Sequence, residues 1–69
     1  MFLKLKDQVV NTKNVVRIDQ PKKSAGIEWF ITTIMEMGGQ ESVVNSMYGT
    51  EQEAKSDYDR IVAQLCSEK

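Results

Sequence analysis

Two adjacent glycines, Gly38-Gly39, separate the two longest strand-like stretches of this chain, and they constrain its fold more than any other feature. A two-residue hairpin turn needs positive φ at its central positions, which glycine adopts without steric cost. The pair therefore joins a strand over residues 27–37 to an antiparallel partner over residues 41–48. In the first strand the odd positions are Ile27, Trp29, Ile31, Thr33, Met35 and Met37, nearly all apolar. The even positions are Glu28, Phe30, Thr32, Ile34 and Glu36, a mixed set. Side chains alternate between the faces of a strand, so the odd set is expected in a core and the even set facing outward. Trp29, Met35, Met37 and Met47 are assigned to the core on the same grounds.

The flanking segments fit around that hairpin. Residues 2–6 alternate, with Leu3 and Leu5 on one face and Phe2, Lys4 and Lys6 on the other. Asp7-Gln8 forms a turn, Val9-Val10 begins a return strand, and Asn11-Thr12-Lys13-Asn14 has the side chains of a bend. Residues 15–19, rich in β-branched residues, read as strand again beyond the bend. Residues 20–26 hold the only proline, two lysines, a serine and a glycine, the composition of a loop. Thr50-Glu51-Gln52-Glu53 matches a capping box, and Ala54, Tyr58, Ile61, Val62 and Leu65 follow as one helical stripe. The predicted helix covers residues 51–66. The resulting fold class is α+β: a four-stranded antiparallel β-meander followed by one C-terminal α-helix packed on one face, within a single domain, 1–69. Leu3, Leu5, the odd face of 27–37 and the helix stripe supply its core.

Sixty-nine residues bury a small core, and small folds usually add a disulfide, a metal or a partner. One cysteine, Cys66, permits no internal disulfide, and the lack of histidine leaves no ligand set for zinc. Self-association or a partner is the remaining device, so a homodimer is expected. The hydrophobic fraction of 41% is too high for a disordered chain. No apolar run is long enough to cross a bilayer as a helix. The N-terminus alternates apolar and basic residues where a signal peptide would be continuously apolar, which points to a cytoplasmic protein that does not engage a membrane.

The segment MFLKLKDQVVNTKNVVRID resembles the start of small bacterial and phage domains of the FlbD-like kind, through Leu3, Leu5, Asn11, Asn14, Val15, Val16 and Ile18. The closing YGTEQEAKSDYDRIVAQL is similar to helices that end many such domains. The resemblance covers about half of the chain and leaves out the Trp29 strand and the Lys22-Lys23 loop. It implies a small sheet-plus-helix module without an active site.

The residues themselves also argue against catalysis. The commonest general base, histidine, is missing. Cys66 falls in the last helical turn, where the dipole does not favour a thiolate. Gly38-Gly39 lies between strands and is no phosphate loop. Asp57 and Asp59, two apart on a helix, point different ways. No catalytic residue, metal ligand or cofactor is expected.

Two binding surfaces remain. Outward-facing Phe30 and Ile34, joined by Phe2 and rimmed by Glu28 and Glu36, have the make-up of a protein interface. The net charge is −1, yet residues 1–23 carry +4 and residues 24–69 carry −5. Lys4, Lys6, Arg17, Lys22 and Lys23 then form a candidate nucleic-acid face beside an aromatic. The favoured function is a small non-enzymatic protein–protein interaction module, an adaptor or inhibitor of a larger protein, self-associating through the outward sheet face. The alternative is a weak single-stranded nucleic-acid binder.

Overall fold

A computed structural model describes residues 1–67. Six strands and one helix follow in chain order: β1 (Phe2–Lys4), β2 (Val9–Asn11), β3 (Val15–Ile18), β4 (Lys22–Lys23), β5 (Trp29–Met37), β6 (Gln40–Tyr48) and α1 (Glu51–Ser67). The fold is α+β, with antiparallel strands and a C-terminal helix against the sheet. Gly38 and Gly39 have φ of 59° and 85° and close a two-residue turn between β5 and β6. The two strands pair over their full nine-residue lengths, from Trp29↔Tyr48 to Met37↔Gln40.

β5 is the centre of the main sheet. β6 occupies one of its edges, while β3 and β4 share the other. The expected 20–26 loop therefore contains a short strand, in which Lys22 and Lys23 pair with Phe30 and Trp29. β1 and β2 pair with each other in a separate two-stranded sheet. The reason lies at the predicted bend. Residues Thr12–Asn14 form a 3₁₀ turn, capped by the Asn11 side chain accepting from the Lys13 N–H at 3.0 Å. This corner sends the chain from β2 into β3 without letting the two lie side by side.

The hairpin β1–β2 and α1 together cover one face of the main sheet. Leu3, Leu5 and Val10 from the hairpin, Met35 from β5 and Ile61 from α1 form one buried cluster, flanked by Val15, Ile18, Val44 and Leu65. Ile31, Tyr48 and Ala54 form a second, with Trp29 and Tyr58 at its margin. The odd face of β5 is thus the core face for Ile31, Thr33 and Met35. Ile27 and Met37 are exceptions, 83% and 62% exposed. Ile27 precedes the strand, and Met37 stands at the hairpin tip, opposite exposed Gln40 and away from the buried clusters.

The helix begins where the capping box predicts. The Thr50 hydroxyl oxygen accepts from the Glu53 N–H at 3.2 Å, and Glu51 and Glu53 face the positive end of the helix dipole. Two side chains then tie α1 to the open edge of β1. Arg60 donates to the Lys4 carbonyl at 2.7 Å and Gln64 to the Phe2 carbonyl at 2.8 Å. Four helical residues rise about 6 Å and two strand residues about 6.7 Å, so the i,i+4 pair meets alternate carbonyls of the strand.

Thr33 is fully buried, and its hydroxyl has no hydrogen-bond partner among the described residues. An unsatisfied buried hydroxyl costs about 1–3 kcal/mol, which an apolar group of the same shape avoids. Thr33→Val is therefore expected to stabilise the fold by about 1 kcal/mol. In a domain of this size that raises Tm by about 4–8 °C. Thermal denaturation followed by circular dichroism measures it, and a lower Tm in the variant would contradict the assignment.

Candidate functional site

A two-residue turn makes Met37 and Gln40 a hydrogen-bonded pair, and the pairs alternate from there. Even residues of β5 and odd residues of β6 therefore share the face away from α1. Across the strands, Phe30 lies beside Met47, Thr32 beside Asn45, Ile34 beside Val43 and Glu36 beside Glu41. The far edge adds Lys22 next to Phe30 and Arg17 next to Ile34. The Thr32 hydroxyl donates to the Asn45 side chain at 2.8 Å, fixing the middle of the face. Phe30 with Met47 and Ile34 with Val43 thus form two apolar pairs, one on each side of the polar Thr32–Asn45 pair, on a face that neither helix nor hairpin covers.

Phe30 and Ile34 are half-buried rather than fully exposed, because strands on both sides bring side chains against them. Val43, at the outer strand, is 61% exposed. Glu36 is exposed at the hairpin end of the face, and Glu28 is exposed just before β5. Phe2 does not join these pairs. It is 66% exposed on β1, whose carbonyl is bonded to α1, so it belongs to the helix-side layer. The departure of β1–β2 from the main sheet separates it from Phe30.

The five basic residues do not form one surface. Lys4 and Lys6 line an open cleft on the helix side. Arg17 and Lys22 lie on the helix-free face, where Arg17 is paired with Asp19 at 3.0 Å. Lys23, opposite Trp29, has the other strand parity.

The cleft has a volume of about 950 Å³ and is bordered also by Tyr48, Glu53, Asp57 and Arg60. Three of its polar side chains, Tyr48, Asp57 and Arg60, are engaged with one another. The Tyr48 hydroxyl donates to one Asp57 oxygen, and the Arg60 guanidinium donates to the other at 2.6 Å. The Lys6 ammonium donates to the Met47 carbonyl and sits 4.8 Å over the Tyr48 ring. Burial and the hydrogen bond to Asp57 push the Tyr48 hydroxyl pKa far above its ordinary value. Burial acts to raise the Asp57 pKa, but hydrogen bonds from Arg60 and Tyr48 outweigh it and hold the carboxyl below its usual range. A tyrosine kept neutral and a carboxylate kept ionised, each satisfied by the other, form a strut joining β6 to α1.

Nothing in the sequence pattern singled out this strut. Tyr48 ends a strand and Asp57 lies on a polar helix position, so only the packing of α1 on β6 brings them together. Cys66 is exposed, and among the described residues no three His, Cys, Asp or Glu side chains are grouped to hold a metal ion. No helix among them is long and apolar enough to cross a membrane. Comparison with protein-family models, curated proteins and solved structures finds no match.

Proposed function

We propose that this protein is a small, non-enzymatic, cytoplasmic interaction module that docks on a larger protein, as an adaptor or inhibitor, through the helix-free face of its main sheet. The observation that supports this reading is the presence of two apolar pairs, Phe30 with Met47 and Ile34 with Val43, on that one uncovered face. Around them lie Arg17, Lys22, Asp19, Glu36 and Glu41, the charged rim expected around the apolar patches of a protein interface. Two cations against three acids is the wrong balance for a surface that tracks a phosphate backbone, and it argues against the nucleic-acid alternative.

The test is affinity capture from the source cells on immobilised protein, wild type against Phe30→Glu, followed by binding measurements with the purified captured protein. A charge in place of Phe30 is expected to weaken binding by about tenfold or more. The remaining wild-type binding should survive high salt, because apolar contacts are not screened. Capture of nucleic acid released by salt, of a protein indifferent to Phe30→Glu, or of nothing would reject the reading.

A further inference from the structure

The two edges of the main sheet differ in how they are closed. On the β3–β4 side the strands are short, a register shift interrupts pairing between Val15 and Arg17, and Pro21, Lys22 and Lys23 occupy the rim. These are the usual guards against edge-to-edge pairing. β6 has none of them. It is nine residues long, pairs without interruption, holds no lysine or proline, and carries one charge, Glu41, near the turn. β5 is its only strand partner among the described residues. The hairpin register turns the N–H and C=O groups of Glu41, Val43, Asn45 and Met47 away from β5, toward the open edge. Lys6 occupies the Met47 carbonyl. Pairing along this edge is thereby limited to the segment before it.

We infer that the occupant of this edge is β6 of a second copy of the chain, antiparallel and centred on Val43. In that register Val43 faces Val43 of the partner subunit and Glu41 faces the partner's Asn45. The three pairs Glu41/Asn45, Val43/Val43 and Asn45/Glu41 supply about six backbone hydrogen bonds. The Lys6–Met47 contact stays in place, and the only charge on the edge, Glu41, faces the uncharged Asn45 of the partner subunit, whereas pairing centred on Glu41 would set two carboxylates against each other. Other registers lack this fit. Pairing centred on Asn45 would need the Met47 carbonyl that Lys6 holds. The resulting sheet is continuous through eight strands, and Ile34 and Val43 of each copy form one apolar row across its centre. An isologous contact of this kind closes at two copies. It supplies the partner that a core without disulfide or metal calls for. It leaves Phe30 outside the contact, so it stands or falls separately from the docking of a larger protein.

Light scattering across a concentration series, with amide hydrogen exchange by NMR at both ends of that series, tests the pairing. The mass is expected to double with concentration, and the amides of Glu41, Val43 and Asn45, which β5 does not use, to slow by about tenfold or more on dimerisation. Phe30→Glu should still dimerise. Val43→Pro, which removes an outward N–H at an edge position, should stay monomeric. The wild-type exchange pattern decides the matter even if the proline variant fails to fold. A monomer at every concentration, a dimer whose 41, 43 and 45 amides exchange freely, or a dimer abolished by Phe30→Glu would overturn the inference.

Discussion

Ile61→Ala is expected to leave the chain largely unfolded at 25 °C. Ile61 is fully buried and is the one helix residue in the cluster that holds Leu3, Leu5 and Val10 of the β1–β2 hairpin and Met35 of β5. Truncating such a side chain removes its transfer free energy and leaves a cavity, at a cost of about 2–5 kcal/mol. A core of this size supplies only about 3–5 kcal/mol of net stability. The loss is therefore comparable to the whole, and a two-stranded hairpin cannot persist once its packing is gone. Ile61→Val removes one methylene and should cost about 0.5–1.5 kcal/mol, leaving a folded protein. Urea titrations of the three proteins by circular dichroism measure both differences. A loss below about 1 kcal/mol for Ile61→Ala would mean that the hairpin and helix are held by something other than this cluster.

Ile61 was legible as core because it lies on the only apolar stripe of a well-capped helix. The same local logic gave β5, β6 and their turn, whose signals lie within a few residues of each other. Local logic failed where partners are far apart in sequence. Phe2 and Phe30 alternate in the same way along their strands, but the 3₁₀ corner at Thr12–Asn14 puts them on different layers. Arg60 and Gln64 have the profile of solvated helix positions, yet they close the edge of β1. Such bonds depend on how α1 crosses the hairpin, which no short-range spacing encodes. One part of the candidate site is legible in the sequence. A two-residue turn at Gly38-Gly39 sets the cross-strand pairs, and from it Met47 and Val43 fall beside Phe30 and Ile34 rather than in the core.

Replacing both turn glycines by alanine should separate the two chiralities by several kcal/mol. With φ of 59° and 85°, Gly38 and Gly39 sit where L-residues crowd their own carbonyl oxygens, at about 1–2 kcal/mol each. A Cβ built at either position meets nothing within 4 Å, so the cost is purely one of backbone conformation. L-alanine at both positions is thus expected to destabilise by about 2–4 kcal/mol, a large share of the total. D-alanine has its allowed region at these angles and also restricts the unfolded chain. It should stabilise by about 0.4–1 kcal/mol per position. The two synthetic proteins have the same composition and differ only in the handedness of two centres. Their urea midpoints should therefore fall on opposite sides of the wild type. Equal shifts of both in the same direction would show that the turn tolerates either hand, and that its glycines are not what holds β6 in register with β5.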